Sequence, residues 1–125
     1  MMNETNIIPE YKYFILLKTK NDDYILSKGV LEDIKNIMQQ NLTEMGYNVK
    51  SITFNGRVAY IELSTANEDA SPADVVRHAR KTSGYILEKY PELNYKLRGN
   101  LWQTKRMIET EPISMEKMFS FAYEK

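Results

Sequence analysis

Hydrophobic and polar positions alternate in two different periods along this chain, and the changes of period mark its elements. Tyr11 to Lys20 reads Y-K-Y-F-I-L-L-K-T-K, an aromatic and branched-aliphatic run that predicts a strand. Asn21-Asp22-Asp23 then carries turn chemistry, because short acidic and amide side chains bond local backbone. Val30, Leu31, Ile34, Ile37, Met38, Leu42 and Met45 recur at three- and four-residue steps, which predicts one apolar face of a helix ending at Gly46. Two short alternating strands follow, one through Ile52 and Phe54 and one through Val58 and Tyr60. Asn55-Gly56 is expected to form the hairpin turn between them, since both residues tolerate positive φ.

Ser71-Pro72-Ala73-Asp74 predicts a second helix start, with serine as N-cap, proline at the first helical position and Asp74 at capping-box spacing. Val75, Val76, Ala79, Ser83, Ile86, Leu87 and Tyr90 give a single packing stripe that Pro91 ends or interrupts. Trp102 to Glu109 reads as a fourth strand, and Ser114 caps a final short helix carrying Met118, Phe119, Phe121 and Ala122. The order β-α-β-β-α-β-α predicts an α+β, ferredoxin-like βαββαβ sheet with an added C-terminal helix. Residues 1–10, polar and with Pro9 near their end, are expected to be a flexible N-terminal arm, and residues 11–125 a single domain.

Composition narrows the chemistry. There is no cysteine and a single histidine, His78, which excludes disulfides, a thiolate centre and an ordinary zinc cage. No apolar run approaches the ~20 residues of a membrane span, so no membrane association and a cytoplasmic location are the expectation. The net charge is +0, yet residues 1–70 carry 7 basic and 10 acidic side chains and residues 71–125 carry 10 and 7. Between positions 77 and 106 the basic residues Arg77, Arg80, Lys81, Lys89, Lys96, Arg98, Lys105 and Arg106 face only Glu88 and Glu92. Such an excess suits phosphate, although a solvated helix face has the same composition.

The segment from Ser71 to Glu109 resembles the small single-tyrosine, HUH-type transposases of insertion sequences and REP elements. Its Ser-Pro-capped helix, basic stretch, Tyr90-Pro91-Glu92-Leu93 and Gly99-Asn100-Leu101-Trp102 stand in the order of that family's blocks. The resemblance implies a homodimer that handles hairpin or single-stranded DNA. It also implies a metal-binding His-hydrophobe-His triplet on the strand after the hairpin, a nucleophilic tyrosine on the last helix, and a glutamine one turn further on, working with Mg²⁺ or Mn²⁺.

The chain departs from the family at each of these places. The triplet aligns with Arg57-Val58-Ala59, the tyrosine with Phe121 and the glutamine with Lys125. Arginine and alanine cannot ligate a metal, and phenylalanine has no nucleophilic oxygen. The expectation is therefore a transposase-like protein without catalytic residues or a metal cofactor, binding DNA through Arg57, Arg77, Arg80, Lys81, Lys105 and Arg106. Tyr123 is a weak alternative nucleophile, lying about 200° around the helix from Phe121. His78 reads as a partly buried helix residue or a phosphate contact. Tyr85, Tyr90 and Trp102 read as packing residues or base-stacking ones. An RNA-binding regulator, a protein-interaction scaffold and an inactive insertion-sequence remnant are the alternatives; no aromatic RNP-type motif is present.

Overall fold

The computed structural model describes residues 10–20, 25 and 28–123. Residues 1–9, the Asn21-Asp22-Asp23 turn and Lys125 lie outside the described residues. The elements are β1 (Tyr11–Thr19), α1 (Lys28–Glu44), β2 (Asn48–Asn55), β3 (Val58–Thr65), α2 (Pro72–Arg80), α3 (Thr82–Lys89), α4 (Pro91–Leu97), β4 (Trp102–Glu109) and α5 (Met115–Tyr123). The four strands form one sheet in the order β2-β3-β1-β4, with every neighbouring pair antiparallel. β3 is inserted between β1 and β2, and β1 between β3 and β4. This is the split βαβ arrangement that the alternating periods predict, with α5 as the added helix.

Strand periodicity assigns side chains to the two faces of the sheet. Ile15, Leu17, Ile52, Ala59, Ile61 and Leu63 face the layer of α1, α2, α3 and α4 and form the larger core with Ile34, Met38, Val76, Ile86 and Trp102. Phe14, Leu16 and Val58 face the other way and are covered by Ile113, Met118 and Phe121, at the start of and along α5.

The segment predicted as one helix over 71–90 is two helices broken at Lys81. Ser71 caps α2 as expected, accepting from the Ala73 N–H at 3.1 Å with Pro72 at the first position. At the break the Thr82 hydroxyl donates back to the Ala79 carbonyl and so competes for helix backbone. The apolar stripe survives this break, because Val75, Val76, Ala79, Ile86 and Leu87 are all buried. α4 is an element the sequence pattern did not separate: Pro91 restarts a helix that buries Leu93 and Leu97.

The two family-like blocks serve this packing. The Tyr90 hydroxyl donates to Asp33 Oδ2 of α1, and Lys89 pairs with the same carboxylate at 2.8 Å. Those bonds, Lys89 first and then Tyr90, hold the Asp33 carboxyl below its usual pKa. In Gly99-Asn100-Leu101-Trp102, the Asn100 side chain accepts from the Trp102 N–H at 3.1 Å, the Leu101 N–H donates to Ser83 Oγ at 3.1 Å, and Trp102 is fully buried. Trp102 and Tyr90 are packing residues, whereas Tyr85 is exposed.

Candidate nucleic-acid interface

The β2–β3 hairpin lies one residue along from the sequence expectation. Asn55 pairs with Val58, so the two loop residues are Gly56 and Arg57, with Gly56 at φ +62°. A glycine in the first loop position is the requirement of a type II′ turn, not of the Asn-Gly type I′ form. Arg57 is therefore a turn residue, and its carbonyl accepts from the Thr19 N–H at 3.0 Å.

The positions of the degenerate site are divided between the two faces of the sheet. Ala59 packs in the helix-covered core, on the face of the sheet opposite α5. Phe121 is on the α5 face, 1 % exposed, in a cluster with Phe14, Leu16 and Val58. Arg57, Ala59 and Phe121 thus do not form one constellation. Of the β3 residues on the face of Phe121, Val58 and Tyr60 pack in its cluster and Glu62 lies further along, paired with Lys50 at 3.0 Å; the Tyr60 hydroxyl accepts from the Ile113 N–H at 3.0 Å. Across the hairpin, the Asn55 amide donates to Met118 sulfur at 3.3 Å. No group of three or more His, Asp or Glu able to hold a metal ion occurs among the described residues.

α5 is fixed at its C-terminal end by two lysines that the sequence reading left without a role in holding it. Lys18 Nζ donates to the Ala122 carbonyl, and Lys105 Nζ donates to the Phe121 carbonyl at 3.2 Å while lying 4.8 Å from the Phe121 ring centroid. Cations at the carbonyl end of a helix satisfy its last acceptors and oppose its dipole. The signal was present in the alternation Phe14-Leu16-Lys18, which puts Lys18 on the α5 face. Tyr123 lies on another flank of α5 from Phe121, 77 % exposed and stacked on Phe119 with ring centroids 5.8 Å apart.

The basic residues separate into bound and open ones. Arg80 is turned inward: its Nη2 donates to the carbonyls of Gln103, Thr104 and Lys105 at 3.1, 2.9 and 3.5 Å. Those three residues lie in the irregularity where the β1–β4 register shifts between Leu17↔Arg106 and Thr19↔Trp102. Arg80 thus clasps a bulge on the edge strand, and burial followed by the neighbouring Arg106 lowers its pKa. Arg77 pairs with Asp74 at 2.9 Å and stays largely solvated. Lys81 and Arg106 are exposed. His78 is buried, and burial first, then Lys81 and Arg77, hold its pKa below the ordinary value. It is a packed residue of α2.

No family model matches the chain, and no curated protein matches it. Solved structures do. A protein assigned as a transposase from Deinococcus radiodurans R1 superposes with a TM-score of 0.76 over 98 % of this chain and 93 % of its own, at 17 % identity. The fold is that of this transposase. A REP-associated tyrosine transposase bound to a REP hairpin superposes with a TM-score of 0.58 at 10 % identity, over 90 % of this chain. The chain spans 62 % of that protein's length. Among the described residues, no helix is long and apolar enough to cross a membrane.

Proposed function

We propose that this chain is a catalytically inactive member of the single-tyrosine transposase family that binds hairpin or single-stranded DNA as a cytoplasmic homodimer. The observation that carries this reading is Phe121. It occupies the position that the resemblance gives to the nucleophile, buried against the sheet, with Val58 and Tyr60 as its β3 neighbours. Valine offers no ligand atom, the Tyr60 oxygen is engaged, and the Glu62 carboxylate further along this face is paired with Lys50 at 3.0 Å, so this donor set does not fit a divalent cation, and no metal-dependent step is assigned. The second β3 register therefore leads to the same reading as Arg57 and Ala59. The DNA partner is supported by the hairpin held by a structural neighbour and by the open cations Lys81 and Arg106. A dimer formed by sheet extension is compatible with the outer strand β2; the Gln103–Lys105 carbonyls of β4 are engaged by Arg80.

Titration of a fluorescent DNA hairpin at low and moderate salt tests binding. Affinity should fall linearly on a log–log scale with salt, and Lys81→Ala with Arg106→Ala should flatten that slope. Arg80→Ala is unsuitable for this purpose because it also releases the β4 bulge. Incubation with single-stranded hairpin and Mg²⁺ or Mn²⁺ should yield no covalent adduct, and Phe121→Tyr alone should not create one. An adduct on Tyr123 of the unaltered protein would overturn the assignment as inactive.

A further inference from the structure

α5 separates two surfaces of opposite character. On its β4 side, Lys105, Arg106 and Lys117 line a cavity of about 470 Å³ together with the hydroxyl residues Ser114 and Ser120 and one acid, Glu116. Lys117 is bridged to Glu109 at 3.1 Å, but both side chains are solvated, and such a pair exchanges readily for another anion. On its hairpin side, Met115, Phe119 and Tyr123 follow at four-residue steps and are 61 %, 58 % and 77 % exposed. They border a second cavity of about 210 Å³ that reaches Asn55 and Gly56 and is lined by no charged residue.

We infer that α5 is a ridge straddled by a single strand of nucleic acid, with phosphates on the Lys105–Arg106–Lys117 flank and bases stacked on Phe119 and Tyr123. The inference rests on the nucleic-acid reading above and adds the surface that holds the strand. A helix with side chains is about 10 Å across, comparable to the reach from a phosphate to the far edge of its base. Phe119 and Tyr123 are already near-parallel, 20° apart, so they offer a preformed face to a further ring. Stacking of this kind needs unpaired bases, because those of a duplex are stacked on each other. The cationic flank selects an anionic partner, which a second copy of the same apolar stripe would not supply. Lys117, Phe119 and Ser120 were not among the residues that sequence reasoning assigned to DNA. They join the site only because α5 lies alongside β4.

Fluorescence anisotropy with a short oligothymidylate, and with the same sequence annealed as a duplex, tests this. The single strand should bind more tightly than the duplex. Phe119→Ala and Tyr123→Ala should each weaken binding by about tenfold, within the range for loss of one stacking platform, while Tyr123→Phe should leave it nearly unchanged. Lys117→Gln and Arg106→Gln should each lower the salt slope by about 0.7, the value for one phosphate contact on a single strand. All of these positions are solvated, and unchanged thermal unfolding confirms that the variants fold. If the hairpin and the oligothymidylate bind but ignore Phe119→Ala and Tyr123→Ala, the ridge is wrong and the DNA reading stands. If neither binds at low salt, both readings fall. If Phe119→Ala/Tyr123→Ala instead splits an oligomer without changing DNA affinity, the stripe belongs to a second copy and the inference is overturned.

Discussion

The sheet has two faces that are built from similar side chains but differ in depth. Among the described residues, 21 buried side chains form the cluster under the helix layer, and only 6 form the cluster under α5. The first face is insulated by four helices and leaves little there for a ligand to reach. The second is closed by one nine-residue helix, whose flanks carry the exposed aromatics and the β4-side cations. A thick core fixes the frame, while a thin one leaves chemically distinct side chains within reach of solvent. Val58 and Ala59 show how sharply the two faces divide: a shift of one residue along β3 exchanges the α5 face for the helix core.

The comparison breaks if the two cores respond alike to truncation. Ile61→Ala on the helix face should cost about 3–5 kcal/mol, and Met118→Ala on the α5 face about 2 kcal/mol, because the thinner cluster can relax toward solvent. Urea unfolding of both variants measures this, and equal losses would mean that α5 is as integral as the helix layer. Next in size is Arg80→Ala, which removes charge-assisted bonds to three carbonyls of an edge strand and should cost about 1.5–3 kcal/mol. Arg80→Lys should recover only part of that loss, since an ammonium lacks the guanidinium fork. The same denaturation curves give both values.

A smaller effect comes from His78 on the helix side. Its folded pKa lies below the unfolded value of about 6.5, so the folded state binds its proton less readily than the unfolded chain. The associated stability is fully present above that unfolded value and is lost as pH falls through the folded one. Thermal unfolding midpoints should therefore decline from pH 7 toward pH 5, above the range where Asp33 responds, and His78→Gln should flatten the decline. Smallest of all, Lys50→Ala removes a 3.0 Å bridge to Glu62 on the open part of the α5 face and should change stability by about 0.5 kcal/mol or less, vanishing in salt.

Much of the frame was legible from local pattern. The limits of β4 were read off directly, Gly46 with φ +94° closes the region after α1 as its position suggested, and Ser71 and Ser114 cap the helices they precede. These features depend on residues within a few positions of one another. The break at Lys81 was not legible, because the stripe from Val75 to Leu87 stays in phase across it and only the Thr82 hydroxyl reveals the competition. The hairpin was legible as a turn but not in its register, because Asn55-Gly56 and Gly56-Arg57 both satisfy a two-residue loop.

By itself, the sequence determined the βαββαβ order, the added helix and the confinement of histidine to a single position, His78, away from β3. The tertiary structure alone decided which face each β3 residue occupies, that Arg80 turns inward onto the β4 bulge, and that Lys105 and Arg106 come alongside Lys117. The physical reason is range. Capping, periodicity and turn chemistry act over one or two turns of chain. A side chain's face and its partners depend on strand pairing and packing between segments far apart, and a single-residue change in pairing reverses the result.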